Sequence, residues 1–239
     1  MAYTNAIVKS VNVNIAHRLK HTALRLPYKK AVVAPAGRDR RGRIAYTHLT
    51  FEQLDRESDN LARGLNQTGI GRGVKTVLMV KPGIDFFVLI FALFKVGAIP
   101  VVVDPGMGIA RMLRCLESTA PEAFIGIPAA QAVRLVFPRF FRSIRVSVTA
   151  GPRLLGGGPT LDTLNRGPWQ PYAPAKTERD ESAAILLPPA VPDRPRGRFT
   201  PMATSTPKFS KSKIISPLRT TRSICQPFLC LPFSIRLWV

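Results

Sequence analysis

Cysteine is scarce in this chain: three residues, Cys115, Cys225 and Cys230, none of them in a C-x-x-C pair. That excludes a disulfide framework and a cysteine zinc site and makes a reducing compartment the default. Long hydrophobic runs are lacking as well. The longest, Phe86 to Phe94, is cut by Lys95 and followed by Gly97 and Pro100, too broken for a membrane-spanning helix. Met1 to Ile15 holds no continuous apolar stretch of the kind a secretory signal needs, so a cytoplasmic protein is expected. Acids are the third scarcity, with 14 Asp and Glu against 35 Lys and Arg. No internal repeat is evident.

What is present is an ordinary globular mix, 46% hydrophobic and 21% charged, in 239 residues, enough for a sizeable core. The charge of +21 and the 22 prolines are not ordinary. Pro188 to Val239 accounts for much of this, with nine basic residues, nine prolines and one acid, Asp193. Two regions are therefore expected, an ordered domain over 1–187 and a poorly ordered tail over 188–239.

Helical spacing over Asn12 to Leu26, stopped by Pro27, predicts an N-terminal helix. Ala31 to Ala34 and Arg43 to Tyr46 read as short strands joined across Ala36 to Gly42. Thr50 and Gln53 have the spacing of a capping box, and Phe51, Leu54, Leu61, Ala62 and Leu65 line one face of the helix that follows. Val74 to Val80, Asp85 to Val96 and Ile99 to Val103 then read as strand, helix and strand, with Gly97 as C-cap. Further along, helices are expected over Ile109 to Thr119 and Pro128 to Val136, and strands over Glu122 to Ile127 and Ser143 to Thr149. A glycine-rich loop from Gly151 to Gly158, a short helix at Leu161 to Leu164, a linker or surface loop from Trp169 to Thr177 and a buried strand entered from the surface within Asp180 to Leu187 complete the domain. Strands alternating with helices at this spacing predict an α/β fold with a mostly parallel sheet flanked by helices.

Candidate chemistry is thin. Gly69, Gly71 and Gly73 follow a helix and precede a strand, the wrong order for a dinucleotide fingerprint, and read as a turn. Gly106 and Gly108, with Asp104, do follow a strand and open a helix, but such a short D-P-G-M-G is read first as a tight turn. His17 and His21 share a helix face as two metal ligands could, yet Arg18 and Lys20 lie between them and neither His48 nor any other residue can be named as a third ligand. Glu52, Asp55, Glu57 and Asp59, beside Arg56 and Arg63, read as a solvated helix face with i, i+4 support. The basic surplus raises nucleic acid or anionic membrane as partners, but no recognised binding module accompanies it, and specific nucleic-acid binding is not expected.

The stretches L-T-F-E-Q-L-D-R-E-S-D-N-L-A-R-G-L (Leu49 to Leu65), G-R-G-V-K-T-V-L-M-V (Gly71 to Val80) and F-A-L-F-K-V-G-A-I-P-V-V-V-D-P (Phe91 to Pro105) resemble the N-terminal subdomain of AMP-dependent acyl-activating synthetases. The segments D-P-G-M-G, L-R-C-L-E-S-T-A-P-E-A-F-I-G-I-P and F-P-R-F-F-R-S-I-R-V are most similar to the branch holding fatty-acid ligases and the β-lactone synthetases of bacterial olefin biosynthesis. The resemblance implies an enzyme in which a fatty or β-hydroxy fatty carboxylate attacks the α-phosphate of MgATP, releasing pyrophosphate and leaving an acyl adenylate. In this family a strand of the type A-A-I-L leads into a glycine-rich loop that cradles the phosphates. Here Ala183 to Leu187 supplies the strand, and Pro188-Pro189-Ala190-Val191 follows, with no glycine and two residues that carry no N–H.

Reading the codons two bases along offers an explanation. Met202-Ala203 must then give Gly, the triplets around it permit Y-T-H-G-N-F-D-A-Q-V, and Pro189 to Gly197 permits S-G-T-G-P-A-K-G. The first string is what the family carries just after its phosphate loop, and the second is that loop, one residue short of the usual pattern. The tail is accordingly expected to be an out-of-frame translation, and the chain an aggregation-prone N-terminal piece of the enzyme. No catalytic, cofactor-binding or metal residue is carried over from the family, and no ATP or Mg is expected to bind. The competing expectation is a non-enzymatic interaction protein whose basic tail meets nucleic acid or anionic lipid.

Overall fold

In the computed structural model, residues 13–103, 108–153, 158–178 and 180–187 are described, and they lie within one unit, Met1–Pro192. Asn14 caps the first helix, α1 (Ile15–Arg25), by accepting a hydrogen bond from the Ala16 amide at 3.0 Å. Two antiparallel strands follow, β1 (Lys30–Arg38) and β2 (Ile44–Thr50). They are longer than their apolar runs, because exposed polar and charged residues continue the pairing to Arg38 and Ile44. They form a sheet of their own.

The Thr50 and Gln53 capping box is present and starts α2 (Phe51–Gln67), whose Leu54, Leu61, Ala62 and Leu65 are buried as the spacing requires. Strands and helices alternate next: β3 (Lys75–Met79), α3 (Ile84–Val96), β4 (Ile99–Val103), α4 (Ile109–Thr119), β5 (Ala123–Gly126), α5 (Pro128–Val136) and, after a 3-10 turn at Pro138–Phe141, β6 (Val146–Thr149). The short helix α6 (Leu161–Leu164) and the strand β7 (Ile185–Leu187) complete it. Gly97 ends α3 at φ 75°, the left-handed conformation that a C-cap glycine adopts freely.

The five strands β3 to β7 form one parallel sheet in the order β6-β5-β3-β4-β7. Side chains alternate across it. Leu78, Ala123, Ile125 and Val148 pack into a cluster with Leu54, Leu61, Leu65, Leu89 and Leu93 from α2 and α3. Val77, Val101, Val103 and Phe124 pack on the other face with Leu113 and Leu116 of α4, Ala130 of α5 and Phe141. Both faces are covered, which is why the strands read as continuous apolar runs. The expected α/β architecture is present. Among the described residues no helix is long and apolar enough to cross a membrane.

Candidate functional site

In a parallel sheet all carboxyl ends meet at one edge, and ligands of open α/β folds bind there, where the strand order reverses. Here the chain leaves β3 toward β4 on one side and β5 toward β6 on the other, so the reversal lies between β3 and β5. β7 joins outside β4, with Val103 opposite Leu187, so the chain that follows Leu187 departs from that same edge. The next residues in sequence are Pro188 and Pro189, which lie outside the described residues, as do Asp104 and Gly106. Gly108 is described: it precedes α4 at φ 76° and offers no side chain to cap it.

A pocket of about 140 Å³ opens beside this edge, where Asp85 begins α3 and Gly151 follows β6. Its polar lining is Glu57, Asp85, Asp162 and Asn165. Burial pushes the Glu57 carboxyl up, and the charge of Asp85 pushes it further. A small, carboxylate-lined pocket repels a bare triphosphate rather than cradling one.

The acids on α2 require a correction. Glu52 and Arg56 do form an exposed i, i+4 pair at 2.8 Å. Asp55 and Asp59, however, are buried, with Lys95 of α3 between them. The Lys95 Nζ lies 2.6 Å from Asp55 Oδ1 and 2.6 Å from Asp59 Oδ1, and donates to the Asp55 carbonyl oxygen at 2.8 Å. The second oxygen of Asp59 has no hydrogen-bond partner among the described residues. These groups are buried because α3 lies across that face of α2. The signal available in the sequence was Lys95 itself, a cation inside an apolar helix, which needs an anion nearby.

The segment expected as a linker or surface loop, Trp169 to Thr177, is irregular and mostly exposed, and it is tied down. Arg56 stacks over Trp169 at 4.9 Å, Arg63 donates to the Gln170 carbonyl at 2.6 Å, and the Ala175 amide donates to the Lys95 carbonyl at 2.7 Å. Gly69 and Gly73, at φ 92° and 78°, form the turn between α2 and β3. His17 and His21 are exposed on α1 and His48 is exposed on β2. Among the described residues no group of three His, Cys, Asp or Glu could hold a metal ion.

A family model described as AMP-binding enzyme matches residues 19–186. The chain is 45% identical over 191 residues to the olefin beta-lactone synthetase of Stenotrophomonas maltophilia, covering 77% of this chain and 34% of that protein. It is 43% identical over 186 residues to the corresponding synthetase of Xanthomonas campestris pv. campestris, covering 77% and 33%. It thus spans about a third of the length of these relatives. Among solved structures, an anthranilate CoA ligase in complex with anthranoyl-AMP superposes with a TM-score of 0.62 at 16% identity, over 72% of this chain and 32% of that one. A long-chain-fatty-acid-CoA ligase from Archaeoglobus fulgidus gives 0.61 at 16% identity, over 74% and 34%. Structural likeness at this identity shows the fold; the sequence match across most of the described residues shows the lineage. The chain belongs to the AMP-binding enzyme family, in the neighbourhood of the olefin β-lactone synthetases.

Proposed function

We propose that residues 1–187 are the N-terminal domain of an adenylate-forming acyl synthetase acting on a long-chain fatty or β-hydroxy fatty acid, and that the chain as translated is catalytically silent. The substrate class is supported by the names of the two olefin beta-lactone synthetases that it resembles. The silence rests on one observation: β7 ends in register beside β4 at the ligand edge and is followed in sequence by Pro188-Pro189-Ala190-Val191. A triphosphate needs converging amides and hydroxyls at that point, and two prolines contribute neither. The proposed cause is a change of reading frame after Leu187, which turns residues 188–239 into sequence with no role in the reaction.

The exposed side of the sheet supports the same reading. Among the described residues β7 is the last strand next to β4, and its Leu186 is 72% exposed. An uncovered strand carrying an outward leucine is an aggregation liability, so limited solubility is expected. Re-reading the DNA at the codons of Leu187 and Pro188 tests the cause. Equilibrium binding of ATP tests the consequence: a chain with the frame restored should bind and this chain should not. Comparable affinity in both would overturn the proposal.

A further inference from the structure

The β1–β2 arm is covered on one face near its base and exposed on both faces toward its tip, where Gly37, Ala45 and Thr47 are open as well. Val32, Ala34 and Leu49 are buried. On the opposite side Val33, Ile44 and Tyr46 are 57%, 49% and 65% exposed. The pairing register sets Val33 against His48, Pro35 against Tyr46 and Arg38 against Ile44. Opposed residues of an antiparallel pair project from the same side, so Val33, Pro35, Tyr46 and His48 make one outward ladder, which Arg38 and Ile44 continue beyond the irregularity in β1 between Pro35 and Gly37. Such an apolar surface is uncommon on a two-stranded arm and marks a contact face.

Cations ring the ladder: Lys29, Lys30, Arg38, Arg40, Arg41 and Arg43 are all exposed. The single acid between them, Asp39, is consumed within the turn. It accepts from the amides of Arg41 and Arg43 at 2.9 Å each and pairs with the Arg43 guanidinium at 2.9 Å. Arg40 and Arg41 at the tip have no ion pair or side-chain hydrogen bond among the described residues. Their charge faces outward, uncompensated.

Charge decides the occupant. A second copy is disfavoured, since each chain carries +21. Nucleic acid would use the guanidinium groups but leave Val33, Pro35 and Ile44 with nothing apolar to cover them. Anionic lipid satisfies both features, with headgroup charge for the arginines and the headgroup–acyl boundary for the ladder. We infer that the β1–β2 arm docks the protein on an anionic lipid surface, Arg40 and Arg41 meeting the headgroups while Val33, Ile44 and Tyr46 enter the interface. This does not depend on the proposed enzymatic lineage of the chain or on its silence.

The test is co-sedimentation of the full chain with phosphatidylcholine vesicles containing about 30% phosphatidylserine at physiological salt, with pure phosphatidylcholine as reference. The tail is basic too, so the comparison is between variants that share it. R40A/R41A should lower partitioning about tenfold or more, and Tyr46→Ser severalfold, with unchanged thermal transitions because both sites are exposed. Partitioning equal to the parent in either variant would overturn the inference, as would equal binding to the two vesicle types. Displacement by a duplex oligonucleotide with Tyr46→Ser without effect would assign the arm to nucleic acid and overturn it equally.

Discussion

The two faces of the parallel sheet are buried by different means. On the α4 and α5 face, Val77, Val101, Val103, Leu116 and Phe124 form an apolar cluster in which Phe124 and Phe141 pack edge to face at 5.6 Å, and the buried polar side chain of α5, Gln131, is neutral and donates to the Val148 carbonyl at 3.0 Å. On the α2 and α3 face an ammonium and two carboxylates sit beside an equally apolar cluster. The apolar face is a collection of independent contributions, each losing only its own contacts when removed. The charged face is conditional, because each ion is tolerable only while the others are present. It also joins α2 to α3, the two helices that carry Glu57 and Asp85 in the acidic pocket.

Breaking the conditional face should cost most. Lys95→Ala strands two carboxylates away from water and should destabilise by about 3–5 kcal/mol in urea titration. Replacing the whole set, K95M with D55L and D59L, should recover most of that loss, since an apolar substitute removes the desolvation of all three groups. A triple variant as unstable as the single one would show that packing, rather than pairing, governs this face. On the apolar side Phe124→Ala should cost about 3 kcal/mol, with no such rescue by changing its neighbours. Thr50→Ala, which removes the cap of α2 without touching either cluster, should cost about 1 kcal/mol, seen as a modest fall in the thermal midpoint.

The smallest effect concerns pH. Glu57 holds its proton more tightly folded than unfolded, because of burial and the Asp85 charge. Its contribution therefore favours the folded state at low pH and is lost as pH rises from the ordinary carboxylate range through the raised value. Glu57→Gln should flatten that part of the stability profile and leave the variant slightly more stable near neutrality. A profile unchanged by the substitution would mean that the carboxyl is solvated and the pocket open.

Local chemistry made most of the fold legible. The Thr50 and Gln53 box, Gly97 at the end of α3, the run Ile99 to Val103 and the Pro128 start of α5 each carry their own structural instruction within a few residues. What escaped was long-range. Asp55 and Asp59 follow the same i, i+4 pattern as a solvated face, and only the placement of Lys95, 40 and 36 residues on, reveals that they are buried. The attachment of Trp169 to Thr177 runs through backbone carbonyls, which have no sequence signature. β1 and β2 outrun their apolar residues because hydrogen-bond pairing does not require burial. As for the ligand edge, the strand leading to it was readable within Ala183 to Leu187, but its expected burial was not met: β7 lies outside β4 and its Leu186 is 72% exposed.

The most direct measurement is ATP–pyrophosphate exchange by the purified chain, supplied with long-chain fatty and β-hydroxy fatty acids, beside a version whose frame is restored after Leu187. The account predicts acid-dependent exchange from the restored protein and background from this one. Acid-dependent exchange from the chain as it stands would mean that its residues do hold the phosphates of ATP, and would contradict the proposal at its root.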